Sequence, residues 1–204
     1  MIDKSVEFYS VILYKRDVGN RPSFELPEGY FFDFYKDGDE LFWAEIEVSL
    51  GQFETIEEGI ACFKREFLSD ERLDPHKRVL FVKDGTGRAV ATASLWVGEH
   101  LFSELPRFHW LAVSDECAGK GIAKALFSRL FELYDQLSLV GDVYLVTATR
   151  YYPAIAMYKK HFGFEFYEGA RSPFKNTPDE RFAVQNPKAI SIIEEKIKER
   201  GAEK

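Results

Sequence analysis

Gly119 and Gly121 bracket Lys120 where an apolar run ending at Val113 gives way to a helical stripe starting at Ile122. That succession of strand, glycine turn and helix start has a chemical use. The first backbone N–H groups of a helix have no partner within it, and the aligned peptide dipoles add partial positive charge there. Glycine allows positive φ and close approach of a ligand, so the turn can cradle a phosphate or diphosphate. The plain alternative is a turn that needs glycine for its own geometry. Two familiar nucleotide motifs fit badly. A P-loop needs Gly-Lys-Ser/Thr, but Lys120 is followed by Gly121. A dinucleotide fingerprint needs a third glycine where Lys124 stands.

The elements that must position this turn can be read from apolar spacing. Segments 5–14, 30–36, 78–83, 89–97, 107–113, 142–148 and 163–169 read as strands, with 84–88, "DGTGR", closing a hairpin. Residues 40–50 approximate a helical face. Thr55 and Glu58 form a capping box ahead of the stripe Ile56, Ile60, Phe63, Phe67. After the glycine turn, Ile122, Leu126, Leu130, Leu133 and Leu137 mark one buried helix face. A short helix spans 153–162, with Pro153 in its first turn. Residues 171–187 read as loop with one short strand, and 188–204 as a charged terminal helix that frays and could pair two copies into a homodimer. The order of elements gives one α/β domain with a mixed sheet.

Composition excludes several classes. The 204 residues are 46% hydrophobic, enough for a core. The net charge of −7 argues against sequence-independent nucleic-acid binding and suits a cationic substrate. Two cysteines, Cys62 and Cys117, suggest neither a disulfide framework nor a metal cluster; Cys117 reads as an exposed turn residue. No apolar stretch reaches transmembrane length, and the charged N-terminal residues do not read as a secretion signal, so a cytoplasmic protein without a membrane partner is expected.

Residues 109–127, "HWLAVSDECAGKGIAKALF", resemble the acyl-CoA-binding motif of the GNAT superfamily of N-acetyltransferases, whose signature is Arg/Gln-x-x-Gly-x-Gly/Ala. A second stretch, "PAIAMYKKHFGFEF", resembles the family's Ala-Ile-x-x-Tyr…Gly-Phe element. The resemblance covers residues 26–170. It implies a GNAT-like fold: a central, mostly antiparallel twisted sheet flanked by helices, with splayed strands at the acyl-CoA site. Residues 1–25 are then an extension and 171–204 a C-terminal loop and helix. It also implies acetyl-CoA as co-substrate, no metal, and a small-molecule or peptide amine as acceptor.

By the same resemblance, Leu111, Ala112 and Val113 would meet the pantetheine arm, with the Leu111 amide near the thioester carbonyl. Ala118, Gly119, Lys120, Gly121, Ile122 and Ala123 would hold the diphosphate. Tyr158 would be the general acid to the CoA sulfur, and Tyr151 a pantetheine or loop contact. His109 corresponds to a histidine in the base pathway of arylalkylamine members, and imidazole titrates where a general base must. Strand alternation would put His109, Leu111 and Val113 on one side. Three departures stand out. Ala118 replaces the usual Arg or Gln, Tyr151 the frequent Asn, and the Tyr158–Gly163 spacing is one residue longer than commonest. Trp43, Glu45, Glu47, Glu99 and Glu104 lie where the amine would be met. The expected function is direct acetyl transfer from acetyl-CoA to a primary amine. The alternatives are a non-catalytic acyl-CoA-binding module and, from Gly119 and Gly121 alone, a nucleotide-binding oxidoreductase.

Overall fold

A computed structural model describes residues 2–202. In chain order the elements are β1 (Ser10–Lys15), β2 (Tyr30–Phe34), α1 (Glu40–Ser49), α2 (Ile56–Phe67), β3 (Val79–Asp84), β4 (Ala89–Gly98), β5 (Leu105–Val113), α3 (Ile122–Gln136), β6 (Val143–Ala148), α4 (Tyr152–Phe162), β7 (Glu165–Phe166) and α5 (Asp179–Ala202). The fold is α/β, with mixed strand pairing, as the sequence implies. The described residues form two compact units: Ser23–Trp96 with Phe108–Leu139, and residues 2–22 with Val97–Arg107 and residues 140–202.

In the first unit β2, β3, β4 and β5 are neighbours in that order. β2 pairs antiparallel with β3, and β3 with β4. The hairpin turn closes on Asp84, whose Oδ1 accepts from the Thr86 and Arg88 amides, while Gly87 takes φ +88°. Residues Val79–Lys83 and Ala89–Trp96 are buried without alternation, the pattern of strands covered on both faces. Phe108 packs edge-on to Phe127 and Phe131 of α3. Phe67 of α2 packs edge-on to Trp96 of β4.

The Thr55 cap forms as expected: its Oγ1 accepts from the Glu58 amide at 3.2 Å. Glu58 reaches back to the Glu54 amide. The expected stripe is buried at Phe63 and Phe67, with Ile56 and Ile60 half-buried. Trp43 of α1 lies edge-on to both buried phenylalanines.

In the second unit β5, β6, β1 and β7 follow one another. β5 meets β6 in parallel at Arg107 and Tyr144. β1 is antiparallel to both β6 and β7, so the first strand of the chain lies between two of the last. The N-terminal strand begins at Ser10 rather than residue 5, and β7 is confined to two residues.

The tail corrects the sequence reading most. Residues 179–187, expected as loop or short strand, already belong to α5, which runs through Pro187. Phe182, Asn186, Ala189 and Ile193 form its buried face at spacings of four, three and four. The Asn186 side chain donates to the Tyr167 carbonyl at 2.9 Å. Burial of that stripe outweighs the backbone bond that proline removes. Among the described residues no helix is long and apolar enough to cross a membrane.

Candidate active site

The glycine turn leaves β5 through a short 3-10 turn, Asp115–Cys117, and enters α3. Gly119 has φ +79° and Gly121 φ +91°, a region that L side chains rarely adopt. A Cβ added at either would meet no atom within 4 Å, so the requirement for glycine is dihedral and the space above the turn stays open. Gly121 is the N-cap of α3 and has no side chain with which to cap it. The first helical donors back to its carbonyl are the amides of Lys124 and Ala125. The Ile122 and Ala123 amides precede them, as an anion cradle requires. Ala118, Gly119 and Lys120 are exposed. Lys120 Nζ bonds the Tyr30 hydroxyl at 3.2 Å and lies 3.8 Å from Cys117 Sγ. Glu116, beside the turn, is paired with Arg88 at 2.7 Å. Cys117 is buried, not exposed as its polar sequence surroundings suggest, because the 3-10 turn folds it beneath Tyr30, whose hydroxyl is 3.6 Å from its sulfur.

Leu111, Ala112 and Val113 form the end of β5 ahead of the turn, but alternation along this strand is broken. Trp110 has φ +49°. Phe108 turns to α3, whereas His109 and Trp110, consecutive residues, both turn to the aromatic cluster on α1 and α2. His109 lies 6.0 Å from the Phe67 ring, and Trp110 is edge-on to Trp43 at 4.9 Å. The left-handed residue rotates the chain out of the pleat, as a bulge does. The expected sharing of one side by His109, Leu111 and Val113 therefore does not carry across residue 110.

His109 Nε2 is 3.0 Å from Oε2 of Glu66, on the last turn of α2. The sequence alone does not single out Glu66. The signal was its place three residues after Phe63, on the shoulder of the apolar stripe.

Of the acidic residues near the expected amine site, Glu45 is exposed and Glu47 is 2% exposed. Glu47 follows Trp43 by one helical turn, and its Oε1 has no hydrogen-bond partner. Burial pushes its carboxyl up to about 8, so it holds a proton at neutral pH. The indole nitrogens of Trp43 and Trp110 are likewise buried without partners.

Tyr158 and Tyr151 belong to the second unit, as do Glu99 and Glu104, which are exposed. Tyr158 lies mid-way along α4, is buried, and is driven well above the ordinary tyrosine range by desolvation. Its phenol stays protonated at any physiological pH. Tyr151 is the N-cap of α4, half-buried, and Gly163 closes the helix at φ +68°.

Comparison with known proteins agrees with this architecture. The acetyltransferase (GNAT) family model matches residues 43–164. Among solved structures, a GCN5-related N-acetyltransferase from Sphaerobacter thermophilus superposes with a TM-score of 0.60 at 20% identity, over 78% of this chain and 48% of that one. A GNAT-family acetyltransferase from Colwellia psychrerythraea gives 0.56 at 15%, over 79% and 54%. A tandem GNAT protein from the clavulanic acid biosynthesis pathway gives 0.55 at 18%, over 78% and 50%. The chain thus spans about half the length of these structures, and at such identity the likeness is one of fold. A search of curated proteins gives no match. With more than half of its length matched by the family model, the chain belongs to the acetyltransferase (GNAT) family.

Proposed function

We propose that the protein transfers the acetyl group of acetyl-CoA to a primary amine by direct attack, without an acyl-enzyme. The observation that carries this reading is the pair of positive-φ glycines at the β5–α3 turn, in a chain of the acetyltransferase (GNAT) family. Acetyl-CoA fits the turn chemically: uncapped amides at the start of a fifteen-residue helix, open space above them and the nearby Lys120 suit a diphosphate. Ala118 adds no charge there, so the grip rests on backbone groups.

The reaction forms a C–N bond at the thioester carbonyl and breaks the C–S bond. The acceptor must lose its ammonium proton before it can attack, and His109 is the residue suited to take it. The departing sulfur needs a proton, and Tyr158, buried and protonated, is suited to give one and to regain it from solvent. The remaining acceleration comes from holding amine and thioester in line.

The test is release of free CoA from acetyl-CoA over a panel of polyamines, aminoglycosides, amino acids and peptides, with thermal shift run in parallel against acetyl-CoA and NAD. Turnover on one amine class, with stabilisation by acetyl-CoA, is the expected result. Stabilisation without turnover on any amine supports the second reading, an acyl-CoA-binding module, which the Ala118 and Tyr151 substitutions favour. Stabilisation by NAD alone removes both.

A further inference from the structure

We infer that Glu66 is a positioning residue for His109: from α2 it fixes the imidazole of β5 in the tautomer whose Nδ1 accepts the amine proton. The inference rests on the reading of His109 as the base.

The geometry leaves little choice. An ionised carboxylate can only accept, so at 3.0 Å from Glu66 Oε2 the His109 Nε2 must carry the hydrogen. In the neutral ring the lone pair is then on Nδ1. Arg65 Nε stands 3.9 Å from the other oxygen, Oε1, which favours the ionised carboxylate and leaves Oε2 for the histidine. The side chains of His109 and Glu66 are 10% and 32% exposed, so the pair is partly shielded from water.

The backbone of His109 is anchored as well, and its ring is flanked by aromatics. Ser94 Oγ donates to the His109 carbonyl at 3.0 Å, and the rings of Phe67 and Trp110 lie 6.0 and 5.5 Å from the imidazole. With the left-handed backbone at Trp110, the His109 ring lies against Phe67 of α2 and the Trp110 ring against Trp43 of α1. A general base needs a fixed ring and one defined acceptor nitrogen, and a carboxylate on the opposite nitrogen also stabilises the imidazolium once the proton has been taken.

Neither Cys62 nor Glu47 supplies that charge. Cys62, on α2, accepts from Arg65 at 3.1 Å, and burial pushes its thiol up, so it is neutral. Glu47, on α1, interacts with Cys62 and is protonated at neutral pH. From β4, Ser94 and Trp96 are uncharged.

Glu66→Gln keeps the shape and removes the charge, and its amide can present either a donor or an acceptor to Nε2. The expected result is a fall in kcat of about tenfold or more, with KM for acetyl-CoA changed less than twofold. The acidic limb of the kcat/KM profile should move to lower pH by about one unit, since the imidazolium loses a neighbouring negative charge. Glu66→Asp should recover part of kcat. Nitrogen-15 spectra of the imidazole should show the Nε2–H form in the parent and a mixture in Glu66→Gln. A purely structural bridge would lower thermal stability and leave the acidic limb and the tautomer where they were, and that outcome overturns the inference. His109→Gln, measured alongside, separates the two readings. If it leaves turnover and its pH profile intact, the base assignment itself fails. If it abolishes turnover while Glu66→Gln shifts nothing, only the role of Glu66 fails.

Discussion

Gly59 of α2 lies so close to Ala44 of α1 that a Cβ built on the glycine would stand 2.7 Å from the alanine Cβ and 3.1 Å from its Cα. The two helices therefore touch backbone to backbone, which brings the Trp43 ring down onto Phe63 and Phe67. Gly59→Val should lower unfolding free energy by about 1–3 kcal/mol through overpacking. Ala44→Gly alone should cost about 1 kcal/mol in helix propensity. Combined, the two should cost less than their sum, because the glycine at 44 makes room. Urea unfolding of the three variants checks this; strict additivity would mean the helices part at this point.

Glu47 sets a pH dependence of stability. Burial lifts its carboxyl to about 8 in the folded protein, above the ordinary 4.5 of an accessible glutamate. Between those two the folded protein holds a proton that the unfolded chain has released. Stability contributed by the neutral carboxyl is thus present at acid pH and falls as pH rises through this window, by roughly 1.4 kcal/mol per unit at the steepest. Glu47→Gln should flatten the fall. Denaturation midpoints at pH 5, 7 and 9 measure it, and identical slopes in parent and variant would refute the assignment.

At the cradle, Gly121→Val places a β-branched residue at φ +91°. The strain is about 1–3 kcal/mol, relieved by moving the turn, and acetyl-CoA affinity should weaken by about tenfold or more. Calorimetric titration gives the constant, and circular dichroism confirms that the variant is folded. Unchanged affinity in a folded variant would place the diphosphate elsewhere.

Tyr158→Phe removes a phenol that burial keeps protonated. Turnover should drop by about a hundredfold with acetyl-CoA binding unaltered. Because desolvation suppresses its ionisation, no alkaline loss of activity below about pH 10 should trace to this group. Stopped-flow thiol detection across pH 6–10 tests both statements; full activity would return Tyr158 to the core aromatics.

The chain's periodicities were sufficient for most of the architecture. The α3 stripe, the Thr55 cap and the β3–β4 hairpin each declare themselves within a dozen residues, since helix and turn signals are local. Three features did not. Asn186 hides a buried position behind a polar residue type next to Pro187, so α5 looked broken where it is continuous. Trp110 carries no sequence mark of its left-handed backbone, and that one dihedral decides which neighbours share a side. Glu66 reads as one more surface acid until the fold brings His109 to it. The glycines were legible because positive φ restricts residue type; partnerships across the fold impose no such restriction.

The location of β1 bears on how the molecule is made. This strand is made before the other six, yet both of its hydrogen-bonded neighbours, β6 and β7, are the last two to follow. On the ribosome it has no strand partner until β2 to β5 and α1 to α3 have emerged, so its ladders close late and over the longest loop among the described strands. Until then Val11, Ile12 and Leu13 remain an open apolar edge, the segment through which a nascent chain would most readily be captured by a chaperone or stick to another copy.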